Sequence, residues 1–499
     1  MLPILAQKFD ASKQDILRKS LEISEDYSDF FHFYSIEVKP RVLILGDGLE
    51  TEDFALFLRS YKPIKYEVKV LSPKEIQEVG GYLGNFEIST TSQEKLYYSQ
   101  IVLFYEDENL KRFMGCESVE DYESPEDLIK VLDSKIGEYS YHNVIHYNPD
   151  KCQYHHRRPN KQNQGYCHSC VDVCPTFGVS KNDTLMELHF SALDCISCGA
   201  CVMVCPSGAI QRDGYSKEAI FKIAKLYKDI VPLVVASKEV ENIKNLDFHK
   251  SLPLVIIQPH LLNEVYLLSI IQESGSQIVL FDREKNERLQ KSVELINEIF
   301  ERIYQKRAIF LVQDEQFLQE AISQADIQEE FFYTYHQDQK EELRHIFSER
   351  LRFMVKDRDF GEIQTTGNTY GEVYIDKEKC TLCMGCIGAC NVQSLSTGDF
   401  SLLHNPSLCT TCNYCVDSCP ENAISTNFGV LRLQENWFSN NVMAKDTGFR
   451  CVECGKVFAT TKSIEKIKNM MLPLFGDDKK KIRSLECCET CKVKVMFGA

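Results

Sequence analysis

Residues 195–206 read Cys-Ile-Ser-Cys-Gly-Ala-Cys-Val-Met-Val-Cys-Pro, and no other stretch limits the fold of this chain so much. Four thiols with two, two and three residues between them match the ligand spacing of a [4Fe–4S] cube, where each iron corner takes one sulfur. Cys195, Cys198 and Cys201 sit close enough in sequence to wrap one face of a cube. Cys205 lies beyond that loop, and in two-cluster proteins such a fourth cysteine crosses to the other cube. Runs of this kind are therefore expected in pairs. Pro206, with φ preset and no N–H to leave unpaired, predicts a helix starting at that point.

The remaining cysteines meet this expectation. Cys409, Cys412, Cys415, Cys419 and Pro420 repeat the run, and Cys380, Cys383, Cys386 and Cys390 keep its spacing with Asn391 in the proline position. Cys167, Cys170, Cys174 and Pro175 form a run without its first member. The approach Tyr147-Asn-Pro-Asp-Lys-Cys152 matches Phe190-Ser-Ala-Leu-Asp-Cys195, so Cys152 is the candidate first ligand across an insert of fourteen residues. Crossing then assigns four sets: Cys152, Cys167, Cys170 and Cys205; Cys195, Cys198, Cys201 and Cys174; Cys380, Cys383, Cys386 and Cys419; Cys409, Cys412, Cys415 and Cys390. His155, His156 or His168 could replace Cys152, but a full set of thiols makes that unnecessary. The basic insert at 155–161 reads as a solvated loop in preference to a dock for an acidic partner.

Two further Cys-x-x-Cys hooks, Cys451/Cys454 and Cys488/Cys491, supply a closed S₄ shell that suits structural Zn²⁺, with rubredoxin-like iron as the runner-up. The gap between them has room for a helix over 461–471, Cys487 is a spare or an alternative to Cys488, and Cys116 is structural. With 22 cysteines in 499 residues, the clustering argues for metal binding and against a small disulfide scaffold. A formal charge of −16 argues against nonspecific nucleic-acid binding. The first residues lack a basic region followed by an apolar run, and the apolar segments at 231–236 and 252–257 are strand-length. A soluble cytoplasmic protein without a membrane span is expected.

Outside the cysteine runs the pattern is α/β. Residues 41–45 read as a buried strand entering Gly46-Asp-Gly48, followed by a helix over 51–59 and a strand over 66–71. The dinucleotide fingerprint is incomplete: Thr51 stands where the third glycine belongs, and Ser72 follows the second strand where an acid would hold a ribose. A structural domain without nucleotide is the preferred reading, with bound flavin or NAD as its rival. Gly80-Gly-Tyr-Leu-Gly84 reads as a turn before a strand over 86–89. Residues 215–345 contain no cysteine and alternate helix with apolar strand, which predicts a parallel sheet covered on both faces, a scaffold separating two cluster pairs.

The order of these features resembles a family of proteobacterial 4Fe-4S (ferredoxin-type) binding proteins encoded beside molybdenum/tungsten formate dehydrogenases and their chaperones. The matching residues are the stretched Cys152…Gly165-Tyr-Cys-x-x-Cys-Val-Asp-Val-Cys-Pro175, the run at 195–205, Cys380-Thr-Leu-Cys-Met-Gly-Cys386, Phe449-Arg-Cys-Val-Glu-Cys-Gly-Lys-Val-Phe458 and Gly81-Tyr-Leu-Gly-Asn-Phe-Glu87. The cysteine-free middle is similar in outline to the small subunit partnering hydrogenase and heterodisulfide-reductase complexes, without that subunit's cysteines. The expected fold class is multidomain α/β plus α+β. It comprises an arm at 1–37, a Rossmann-like domain at 38–140, a dicluster ferredoxin-like domain at 141–214 and a doubly wound α/β domain at 215–345. A second dicluster ferredoxin-like domain at 346–432 and a zinc-ribbon-like module at 433–499 complete it. The expected function is electron transport through four [4Fe–4S] clusters, as a non-catalytic carrier or oxidoreductase subunit. The resemblance implies a formate dehydrogenase-like redox partner. A maturation or assembly factor for a molybdo-enzyme, and a flavin- or NAD-dependent oxidoreductase subunit, stay open as alternatives.

Overall fold

Two four-stranded parallel sheets hold most of the apolar core in the computed structural model, which describes residues 5, 7–28, 32–336, 342–366 and 369–498. In the first sheet Arg41–Leu45 lies between Glu67–Leu71 and Gln100–Leu103, with Cys116–Ser118 at the edge. Val42 to Leu45 are all buried, as a strand covered on both faces requires. One face packs on helices Leu49–Ser60 and Pro125–Ser134 through Phe54, Leu58, Leu128 and Leu132. The other packs on a second, antiparallel sheet of Ile76–Tyr82, Asn85–Thr90 and Lys95–Tyr98, through Phe86 and Ile88. That β excursion stands where a crossover helix would be usual between the strands at 67–71 and 100–103. Gly80 and Gly81 lie inside the strand Ile76–Tyr82, and the turn is confined to the residues between Tyr82 and Asn85. Ladder pairing of Gly80 with Glu87 and Gly81 with Phe86 extends the strand through the expected turn.

The second sheet has the order Ser251–Ile256, Val231–Ala236, Ile278–Phe281, Ile309–Val312, every neighbour parallel. Helices Lys217–Leu226, Glu264–Ser274, Glu287–Tyr304 and Leu343–Val355 cover one face, and Leu318–Gln324 covers the other. Helix Ala11–Asp26, capped by the Asp10 carboxylate accepting from the N–H groups of Ser12 and Lys13, docks on the first of these faces through Leu17. The rest of the arm does not follow it. His32–Val38 pairs antiparallel with Gly137–Asn143, beside the first sheet. Phe30 and Phe31 lie outside the described residues.

The cysteine runs sit in two halves built to one plan. The first has an outer pair, Ile145–Tyr147 with Ile210–Arg212, an inner hairpin, Val179–Asn182 with Glu187–Phe190, and short helices Ser169–Val173 and Ala200–Val204. The second repeats this with Gly371–Ile375 and Ile424–Phe428, Leu395–Gly398 and Ser401–His404, and helices Gly385–Ala389 and Tyr414–Asp417. Its hairpin gains a third strand, Asn441–Lys445, before the chain enters the C-terminal segment. There a hairpin, Gly448–Arg450 with Val457–Thr460, leads into helices Thr461–Phe475, Lys479–Ser484 and Glu489–Phe497. No helix starts at Pro206. Helix Ala200–Val204 ends before Cys205, and Pro206 opens a turn into the strand at 210, its preset φ serving the turn as well as it would a helix. Among the described residues no helix is long and apolar enough to cross a membrane.

Candidate metal centres

Three small cavities of the structure are each lined by four cysteines. One is lined by Cys152, Cys167, Cys170 and Cys205, the next by Cys174, Cys195, Cys198 and Cys201, and the third by Cys380, Cys383, Cys386 and Cys419. The Cys415 thiol lies within electrostatic reach of Cys409, Cys412 and Cys390. The fourth cysteine of each run thus faces the loop of the other run, because it follows the end of a short helix that carries it away from its own loop.

The loops share a backbone device. Ser197 and Gly199, Leu382 and Met384, and Thr411 and Asn413 occupy the same two positions of three runs, all with φ between +50° and +79°. Left-handed backbone is costly for a residue with a side chain, so its recurrence at five such positions points to a geometric need. The loop turns its N–H groups inward: those of Tyr154, Ser197 and Thr411 donate to the Sγ of Cys152, Cys195 and Cys409, each at 3.4 Å. From the far side Ala209 and Ala423 donate to Cys205 at 3.2 Å and Cys419 at 3.4 Å. Such donors stabilise thiolate sulfur and tune the potential of a bound cluster. At Gly199 a Cβ would stand 2.0 Å from Leu261 Cδ2, so a side chain at this turn would have to displace Leu261.

Burial works the other way on the thiols. It pushes Cys167 up to about 11 and Cys386 and Cys409 up to about 12, and holds Cys170, Cys201 and Cys415 higher still. Thiols gathered in fours under such a penalty ionise only when cationic metal offsets it, so the donor sets fit iron–sulfur cubes. Some cationic help is built in. Arg212 lies near Cys195 and Cys198, Arg157 near Cys412, Arg344 near Cys409 and Lys462 near Cys380.

The C-terminal hooks close on one another. The sulfurs of Cys451, Cys454, Cys488 and Cys491 lie within 4.8 Å of each other, with Cys454 and Cys488 at 3.7 Å. A tetrahedron with Zn–S bonds of about 2.3 Å has edges of about 3.8 Å, so the shell fits a zinc-sized ion. Burial opposes ionisation of Cys451, but backbone N–H groups of Cys488, Cys454 and Glu453 outweigh it and bring that thiol down to about 6. Cys487 is buried beside the four sulfurs, close to Cys451, with its thiol donating to the Arg483 carbonyl at 3.3 Å. Cys116 is buried on the edge strand of the first sheet, away from these groups.

The basic insert at 155–161 is largely the expected solvated loop, with His156, Arg158, Pro159 and Lys161 exposed, but Arg157 reaches the other half. Arg157 Nη1 donates to the Ala389 carbonyl at 2.9 Å and its guanidinium lies 4.4 Å from the Tyr414 ring centre. Tyr166 packs on Tyr414 at 5.1 Å and donates to Asp417 at 2.7 Å, while Gln153 bonds Thr410. Asn391 donates its amide to the carbonyls of Lys151, at 2.8 Å, and Cys152, at 3.3 Å. The two cysteine-rich halves therefore touch directly, and the cysteine-free sheet does not separate them. His168 is held by Asp172, and burial lowers His155; neither histidine lines a cavity named above. Sequence reasoning passed over this junction, although a proline exchanged for asparagine in an otherwise regular run was its visible sign.

The crevice beyond Gly46 does not fit a pyrophosphate. A Cβ at Gly46 would meet Phe104 Cβ at 2.6 Å and Thr51 Oγ1 at 2.8 Å, so the buried Thr51 already fills the turn. The adjoining cavity, of about 510 Å³, is lined by Phe54, Phe57 and Tyr122 and by the carboxylates of Glu50, Asp53, Glu123 and Glu126, with no Lys or Arg to meet a phosphate.

Comparison with known proteins agrees with the cysteine geometry. The model of the 4Fe-4S binding domain matches residues 189–211 and 402–425, each stretch containing one complete run. No curated protein matches the chain. The two matches, on the cysteine clusters described above, support a ferredoxin-type iron–sulfur protein of mixed α/β architecture, with the chemistry of electron transfer.

Proposed function

We propose that this chain is an electron-transfer protein holding four [4Fe–4S] clusters on the four crossed cysteine sets, with one Zn²⁺ on Cys451, Cys454, Cys488 and Cys491. When bound, the cubes supply one-electron chemistry without bond breaking. The chain's part is to hold the sulfurs, aim N–H groups at them and limit water. The observation that carries this reading is that cysteines from two different runs line each of three cavities in the crossed combination. The domain division given above, with the halves at 141–214 and 346–432 as dicluster units and 433–499 as a zinc-ribbon-like module, belongs to the same proposal. So does a cytoplasmic setting beside a formate dehydrogenase-like complex, which rests on the family resemblance. Anaerobically reconstituted protein is expected to bind about sixteen irons, matching sulfide and one zinc. Colourless protein carrying zinc alone would end the proposal. The formate dehydrogenase link is tested in a deletion strain: for a carrier, the isolated dehydrogenase stays active with artificial dyes, whereas cofactor-poor inactive enzyme indicates a maturation factor.

A further inference from the structure

We propose that the two cysteine-rich halves form one continuous electron path, joined through the set of Cys152, Cys167, Cys170 and Cys205 and the set of Cys390, Cys409, Cys412 and Cys415. This rests on the four-cluster reading and adds an order of travel to it. Besides Arg157, three residues that stand beside candidate ligands make contacts at the junction. Gln153, next to Cys152, meets Thr410, next to Cys409. Asn391, next to Cys390, donates to the carbonyl of Cys152 itself. Tyr166, next to Cys167, packs on Tyr414, next to Cys415. Neighbours of the two sets are thus in direct contact through hydrogen bonds and ring packing.

Within each half the crossing brings the partner set near as well: Cys170 lies within electrostatic reach of Cys201, and Cys415 within reach of Cys386. The order is therefore the Cys195 set, the Cys152 set, the Cys409 set and the Cys380 set. Both outer sets reach the surface, through the exposed Cys383 at one end and the exposed Ile196, beside Cys195, at the other, although Cys201 and Cys386 of those sets are buried as Cys152, Cys170 and Cys409 are. At the junction one electron leaves a reduced cube on one inner set, oxidising it by one, and reduces the cube on the other by one. No bond forms or breaks, and an external low-potential one-electron donor supplies the electron at an exposed end. Asn391 is a positioning residue: its amide ties the loop ending in Cys390 to the backbone of Cys152.

The test uses the full chain, reconstituted anaerobically and reduced with dithionite. The variant Cys195→Ser/Cys198→Ser/Cys380→Ser/Cys383→Ser removes both outer sets. It should keep half the iron and show an EPR signal split by interaction between the two remaining reduced cubes. Half the iron with two independent signals would overturn the continuous path while leaving the cluster assignment intact. A wild-type protein without iron would instead overturn the function it rests on. If the quadruple variant loses all its iron, dipolar EPR on wild type decides: a shortest separation between halves comparable with that inside a half supports the path, and a much longer one overturns it. Asn391→Pro, which restores the proline of the other runs, should leave the iron content unchanged and slow electron equilibration between halves several-fold. An unchanged rate would remove Asn391 from the path.

Discussion

The most heavily buried charge is Arg350, which lies inside the core with its guanidinium on Glu273 at 2.8 Å and Gln272 at 3.0 Å. It ties helix Leu343–Val355 to helix Glu264–Ser274. Removing one partner of such a pair leaves the other charged and dry, so Glu273→Ala should cost about 3–5 kcal/mol, read as a fall in the thermal midpoint of the holoprotein. A buried neutral group behaves in the opposite sense. Burial holds His404 down to about 4, its Nε2 accepting from the Val373 N–H at 3.1 Å and its Nδ1–H facing the Ser394 carbonyl. Its folded value lies below the unfolded value of about 6.5, so the unfolded chain binds the extra proton in between. The stabilisation from His404 is complete above about 6.5 and falls away as pH drops towards 4. His404→Gln should flatten that part of a stability–pH curve measured by chemical denaturation. Arg212, held by the carbonyls of Ser197 at 3.2 Å and Asp213 at 2.9 Å, places a cation beside Cys195 and Cys198. With Arg212→Gln, one cluster potential should fall by about 60 mV if that charge contributes about 1.4 kcal/mol, as spectroelectrochemistry would record.

At the scale of elements, the C-terminal segment leans on the second half through helix Thr461–Phe475 and the end of the strand before it. Lys462 Nζ donates to the Lys377 carbonyl at 2.6 Å, Thr460 Oγ1 to the Thr381 carbonyl at 3.2 Å, and Lys466 pairs with Glu421. Few apolar side chains of helix Thr461–Phe475 are buried, so the S₄ site supplies much of the order there. Chelating one zinc should open 446–498 to limited proteolysis while the iron content stays unchanged. Helix Ala11–Asp26, by contrast, is held by packing: Leu17 is 3 % exposed, and Leu17→Ala should cost about 2–5 kcal/mol. All four strands of the second parallel sheet were legible in the sequence as apolar runs between helices, but of the first sheet only 41–45 and 67–71 were, and the strands at 100–103 and 116–118 were not. Of the β excursion at 76–98 only the strand at 86–89 was, since the two adjacent glycines before it read as a turn until ladder pairing with 85–90 is seen. Pro206 failed as a helix signal because its fixed φ serves a turn equally well.

At the scale of the molecule, the two halves are short hairpins and one-turn helices gathered around cysteines, while the two parallel sheets hold separate apolar cores. Stripping the iron should therefore loosen 145–212 and 371–428 and leave 41–134 and 217–324 protected, which hydrogen exchange on the full chain would register. If all four segments lost protection together, the sheets would depend on the clusters for their folding.

The sequence alone determined which sulfurs can group together, because ligand spacing is a local property: three cysteines within seven residues can reach one cube only by wrapping it. It also identified the C-terminal four-sulfur shell, which the structure closes to within 4.8 Å. Tertiary structure alone decided that the halves meet, since the contacts of Gln153, Arg157 and Asn391 span more than 230 residues of chain. It also decided that the turn at Gly46 is filled by Thr51 and that the cavity beside it is acidic. Contacts so distant in sequence carry no local period or spacing; they arise only once folding has brought the two surfaces together.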